Sequence, residues 1–216
     1  MPASPSLADL RQLLAARFPT AARKAESLVP TGVASLDHAL EGGLPGGALT
    51  ELVCGPSTGS GLVLTRLIAS TRKARQRIVL LDAADGFSPE DEAPEILEHI
   101  VWCRCGGVDL SALWLVADLT LRDSHFAAAV IDLRGVPERA LLRTPGSTWY
   151  RLQRAVEQSS VATLVLSPTP VVPSVRHRFR LAAPHHAPDL RMEREQLLHS
   201  LAPEHERARG AFHLSA

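Results

Sequence analysis

Lysine is nearly missing from this chain: Lys24 and Lys73 are its only two, and every other basic residue is arginine. No lysine therefore stands inside any of its glycine-rich stretches. An excess of either charge is missing as well. Lys+Arg and Asp+Glu both total 23, which excludes attachment to nucleic acid or membrane by bulk charge and leaves only local basic patches. Cysteine is scarce and odd in number, at three, so no disulfide framework is expected and a reducing, cytoplasmic location is. No apolar run reaches the roughly 18 residues of a membrane span. The opening MPASPSLADLRQLLAARF lacks the basic-then-apolar order of an export signal, so neither export nor membrane insertion is expected. No repeat of solenoid period is present.

What is there suits one soluble domain. The hydrophobic fraction of 45% and charged fraction of 21% across 216 residues allow one substantial core. Leu7, Leu10, Leu13, Leu14 and Phe18 recur at helical spacing and predict an N-terminal amphipathic helix within a segment 1–28. From residue 29 to 183 short apolar runs alternate with helical patterns. That alternation predicts an α/β core, doubly wound, with a mainly parallel sheet and helices on both faces. The strands expected are 48–55, 77–84, 99–105, 127–133, 161–167 and 176–182, with helices near 61–73, 109–123 and 146–159. Residues 184–216, rich in histidine and charge, are expected as a C-terminal tail ordered in part at most.

The first strand runs into GPSTGSGLVL and then a helical pattern, the context of a phosphate-binding loop. In GxxxxGK[ST], backbone N–H groups cradle phosphate, the lysine supplies charge and the hydroxyl holds Mg²⁺. Here the loop is Gly55, Pro56, Ser57, Thr58, Gly59, Ser60 and Gly61, with Gly61 at the lysine position and Leu62 at the hydroxyl. Moving the register by one places Leu62 and Val63 there instead, and neither register restores the charge. A glycine-rich turn without ligand and a weak backbone anion site both fit. Tight Mg-nucleotide binding does not, and neither ATP nor Mg²⁺ is expected as a cofactor.

The run TGVASLDHALEGGLPGGALTELVCGPSTGSG resembles the lead-in of the RecA recombinase family, with its TG, LD pair, GGLP turn and glutamate before the loop. The resemblance implies a RecA-like fold and identifies further positions. RIVLLDAADG is similar to the family strand ending in Asp-Ala-Glu, but Ala84 replaces the glutamate that polarises the attacking water. AAAVIDL resembles the Walker B strand, making Asp132 the remnant Mg²⁺-ordering residue or a plain strand-end cap. After VATLVLS, Ser167 and Pro168 stand where the family places a γ-phosphate-sensing glutamine. Lysine, glutamate and glutamine are thus absent together, which implies a pseudo-ATPase rather than an enzyme.

Within that superfamily TWYRLQRAVEQSSVATLVLSP and PSVRHRFRLA resemble ImuA-type accessory proteins of bacterial induced mutagenesis. This implies a role in the DNA damage (SOS) response and translesion synthesis. The implied partners are an ImuB-type Y-family-like protein, an error-prone replicative-type polymerase, RecA, or a combination of these. Oligomerisation and DNA contact stay open. A single-strand-binding recombination mediator and a residual ATPase are the alternatives.

RHRFRLA places Arg176, Arg178 and Arg180 on one face of a strand, as candidate phosphate contacts or as the charge of an edge strand. TRKARQR is a second basic cluster, which also suits a helix C-terminus. Phe18-Pro-Thr-Ala21 resembles the Phe-x-x-Ala peptide by which recombinases dock on a neighbour, making Phe18 and Ala21 candidate docking residues beside an ordinary packing role. Cys103 and Cys105 with His99 lack a second ligand pair for zinc and read as buried thiols. His185 and His186 are expected in the solvated tail.

Overall fold

Strands such as IVLL and TLVL are apolar at consecutive positions, so both faces of the sheet they form must be covered. The structure, a computed structural model, describes residues 27–106, 110–173 and 175–206. In chain order it contains β1 (Leu28–Val29), α1 (Ala34–Ala39), β2 (Leu44–Pro45), β3 (Leu49–Cys54), α2 (Ser60–Lys73), β4 (Arg77–Asp82), α3 (Pro94–Leu97), β5 (Ile100–Arg104), α4 (Ser111–Thr120) and β6 (Phe126–Asp132). There follow α5 (Glu138–Leu141), α6 (Gly146–Ser159), β7 (Ala162–Ser167), β8 (His177–Leu181), α7 (Arg194–His199) and β9 (Pro203–His205). The N-terminal helix, with Phe18 and Ala21, falls outside the described residues. Among the described residues no helix is long and apolar enough to cross a membrane.

Seven strands form the main sheet in the order β5-β4-β6-β7-β3-β8-β9. All neighbours are parallel except β9, which runs antiparallel to β8. The strand period of two divides the core. Ile78, Leu80, Val130 and Leu164 pack on one face with α2, whose buried Val63, Leu64, Leu67 and Ile68 recur at helical spacing. Val79, Leu81, Ile131 and Val165 pack on the other with α4 and α6. Each of the six strands expected from sequence overlaps one of β3 to β8.

The lead-in motif has a physical role. Asp37 on α1 accepts hydrogen bonds from Thr31 N (2.7 Å), Thr31 Oγ1 (2.7 Å) and Gly32 N (3.1 Å), tying the loop before α1 to the helix. Gly43, at φ 142°, needs its missing side chain, because a Cβ there would lie 2.5 Å from Val29 O. Together these hold the β1–β2 ribbon that delivers the chain into β3.

One expectation changes. RHRFRLA is not an edge strand: β8 sits between β3 and β9. Its Arg178 turns inward, donating from Nε to Glu51 Oε2 at 2.6 Å and from Nη2 to Val172 O at 2.5 Å. Within the tail expected to be ordered in part, residues 184–206 supply α7 and the edge strand β9. Its sequence hides this because β9 is only three residues long and α7 only six, too short for a periodic signal.

Glu51 has no exposed surface and accepts from Ser167 Oγ (3.1 Å), Val171 N (2.7 Å) and Val172 N (3.2 Å) as well as Arg178. Replacing Arg178→Met leaves a buried carboxylate without its cation. Urea denaturation is expected to show a loss of about 3–5 kcal/mol. His99 adds an acid-side sensitivity: burial, with help from the Arg72 charge, lowers its pKa below the ordinary 6.5. The unfolded chain then binds the extra proton first, so stability falls as pH drops below that value. His99→Gln is expected to flatten this acid limb in stability measured between about pH 7 and pH 5.

Candidate functional site

The loop Gly55–Gly59 lies at the carboxyl end of β3, where neighbouring β7 and β3 send the chain to opposite faces of the sheet: Val172 joins one core cluster and α2 the other. Such switch points are where open α/β sheets bind ligands. Gly59 caps α2 at φ 82°. Ser57 is also left-handed, at φ 58°. Thr58 is buried and donates to Gly55 O at 2.9 Å, so its hydroxyl staples the loop. Pro56 and Ser57 are exposed, and Gly61 faces solvent where a lysine would start.

A positive charge beside Gly61 comes from the turn after β6. Arg134, two residues past Asp132, donates to it twice, Nε to Oδ1 at 2.8 Å and Nη2 to Oδ2 at 2.5 Å. Its third nitrogen, Nη1, donates to Ser60 Oγ at 3.1 Å and lies 3.8 Å from where a Cβ on Gly61 would be. The guanidinium thus bridges Asp132, the last residue of β6, and Ser60, the first residue of α2. Burial opposes its charge, but hydrogen bonding to Asp132 and that carboxylate's field raise its pKa above the ordinary value. Asp132 is 3% exposed and accepts from Arg134 N as well, at 3.1 Å. Its oxygens are committed to one arginine.

The neighbouring positions are structural in the same way. Asp82 accepts from Ala84 N (3.3 Å), Gly86 N (3.0 Å), Phe87 N (3.0 Å) and Trp102 Nε1 (3.2 Å), which folds the loop after β4. Ala84 itself offers only a methyl group, 2.6 Å from the Cβ position of Gly135. Ser167, fully buried, serves Glu51. Near the loop the Cys54 thiol is pushed up by burial.

The C-terminal segment roofs the loop. His185 N donates to Ser57 O at 2.7 Å, while its ring and Leu201 lie over Gly59, at 3.0 and 2.6 Å from a Cβ there. Arg194 on α7 donates to Thr65 Oγ1 (2.8 Å) and Glu92 Oε1 (3.1 Å), and Glu195 pairs with Arg66. What stays open is a groove of about 590 Å³ whose walls include Ser57, Gly61, Phe87, Arg134, His186 and Arg194. His185 is thus packed on the loop, whereas His186 lines the groove from an exposed position.

Other sequence candidates are dispersed. Arg178 is tied to Glu51 inside the protein, and Arg180 pairs with Glu206 at 3.1 Å, so the expected arginine face does not stand free. Arg176 lines a separate cavity of about 850 Å³ at the opposite, amino ends of the strands. Arg72 of the second basic cluster pairs with Glu98 at 3.0 Å. His99 faces Thr71 and Ile68 of α2, whereas Cys103 and Cys105 pack on the other side of the sheet, so the three do not converge. Sequence reading stopped at Asp132 and missed Arg134. Arg134 lies in the turn after β6, so strand periodicity gives no sign of its pairing with Asp132.

Arg134→Ala leaves a nearly buried carboxylate unpaired and is expected to cost about 3 kcal/mol or more. The double replacement Asp132→Leu, Arg134→Met removes both charges and is expected to recover most of that loss in the same urea melts.

Comparisons with protein-family models and with curated proteins find no match for this chain.

Proposed function

We propose that this chain is a non-catalytic RecA-like accessory protein of bacterial translesion synthesis, of the ImuA type, acting through protein contacts with the polymerase cassette, RecA or both. The observation that carries the reading is the Arg134 bridge between Asp132 and Ser60. A working phosphate loop keeps its hydroxyl and its acidic strand end free for Mg²⁺, and its mobile lysine free for the γ-phosphate. Here an internal cation occupies the acidic strand end and reaches the loop at Ser60, beside the lysine position.

Three further features support it. The glycine-rich loop follows a central strand of a mainly parallel sheet, and Asp132 ends a strand one removed from it, in the order β6-β7-β3. The groups that would polarise water and sense phosphate are replaced by Ala84 and by Ser167, which is occupied with Glu51. The mouth of the loop is covered by His185 and Leu201, so a nucleotide would have to displace them. A frame with these replacements retains surfaces for partners while losing the chemistry.

A fluorescent ATP analogue titrated with and without Mg²⁺ is expected to show no saturation below about 1 mM. Tight Mg-dependent binding would overturn the non-catalytic reading. Pull-downs with the ImuB-type protein, the error-prone polymerase and RecA are expected to retain at least one of them. Retention of none would remove the accessory role.

A further inference from the structure

The helical layer on the α4–α6 side of the sheet leaves an apolar stripe uncovered. Trp114 and Trp149 close the inner seam between the two helices, edge to face with centroids 5.1 Å apart. On the outer side Leu115 and Leu119 are each 64% exposed, and Tyr150 on α6 is 54% exposed. Leu115, Leu119 and Arg122 stand at i, i+4 and i+7, which puts them on one side of α4 and its end. A shallow depression of about 550 Å³ joins Arg122 to Tyr150, Arg151 and Arg154 of α6.

The rim of this stripe is basic. Two arginines share Asp118, Arg122 in two hydrogen bonds, at 3.2 and 3.0 Å, and Arg151 at 3.5 Å, while Asp123, just past the end of α4, is held by His125 at 2.6 Å. Arg154 makes no ion pair among the described residues. Glu157, the acidic residue of α6, is bonded to Gln153 and lines the cavity at the other end of the strands. A contiguous apolar patch rimmed by polar residues marks an interaction surface, and uncancelled arginines beside it select against a basic partner.

We infer that the α4–α6 face, centred on Leu115, Leu119, Tyr150 and Arg154, docks an acidic amphipathic helix of another protein. Leucine spacing of four residues suits the apolar ridge of a helix lying along α4, and carboxylates on its flank meet Arg151 and Arg154 in the adjoining depression. The inference goes beyond the accessory role and does not use the phosphate loop. It can fail while partners bind elsewhere.

The test uses the full chain and fluorescein-labelled synthetic peptides of about 18 residues, long enough to form a helix on binding. One carries leucines at i, i+4, i+7 and i+11 flanked by glutamates. A second carries lysines in place of the glutamates, and a third scrambles the first. Fluorescence anisotropy is expected to give saturable binding of the acidic peptide, weakened by salt, and binding at least about tenfold weaker for the other two. Leu115→Ser with Leu119→Ser, and separately Arg151→Glu with Arg154→Glu, are each expected to weaken it by a similar factor. Should the leucine variant melt early, the charge-reversed variant alone decides. Equal binding of the three peptides, no saturation by the acidic one below about 1 mM, or variants that bind like the parent would overturn the inference. So would a concentration-dependent dimer abolished by these substitutions, which would assign the face to a second copy of the chain.

Discussion

A carboxylate taken out of water must find donors, and this fold is arranged around three that have been. Glu51, Asp82 and Asp132 lie near the carboxyl ends of adjacent or nearly adjacent strands, each 3% exposed or less. An unpaired charge there would cost several kcal/mol, so each has drawn a different part of the chain to itself. Glu51 gathers Ser167, the Val171–Val172 link and Arg178, fixing β8 beside β3. Asp82 gathers the backbone of the following loop and the Trp102 indole. Asp132 gathers Arg134 and, through it, Ser60 at the start of α2. Loops in an active enzyme would satisfy part of such demand with metal and substrate. In this chain protein groups satisfy it.

That constraint bears on the identity of Gly61. Once Arg134 holds both oxygens of Asp132, a lysine at residue 61 would begin only 3.8 Å from the guanidinium and meet it as a like charge. Glycine at that position removes the conflict. A cation fixed on Asp132 and a cation grown from the loop are alternative occupants of one small volume. The chain carries the fixed one. The roof formed by His185 and Leu201 follows naturally, because Gly59 without a side chain lets them approach the loop more closely than a ligand-binding mouth would allow.

Much of the frame was legible because apolar runs and helical spacing are strong signals over five or more residues. Strands β3 to β8 and helices α2, α4 and α6 follow from them. The loop's missing charge was equally legible, since it needs only the identity of Gly61. What sequence could not reveal were pairings between distant residues: Arg178 with Glu51 across 127 positions, and Arg134 with Ser60 across 74. An alternating arginine strand reads as a solvent face when its neighbour is unknown. It becomes a structural device once β8 lies next to a strand carrying a buried glutamate. The segment from 184 to 206 was hidden for another reason: its elements are short, and they are stabilised by contacts with residues 57, 65, 66 and 92 rather than by their own periodicity.

The two halves of the molecule therefore differ in what they leave unsatisfied. At the loop every charge examined by a ligand is already answered from within: Arg134 by Asp132, Arg194 by Glu92, Arg66 by Glu195. Across the sheet, on α4 and α6, the balance is reversed, with one Asp118 serving two arginines, Arg154 beyond its reach and leucines in water. Binding free energy comes from groups that gain by a partner's arrival, not from groups that must first be released. A ligand at the loop would have to break an internal ion pair and lift a roof, whereas a partner helix on the α4–α6 face breaks nothing and covers apolar surface. The direction of that difference is what moves the expected interaction away from the loop and onto the opposite helical layer.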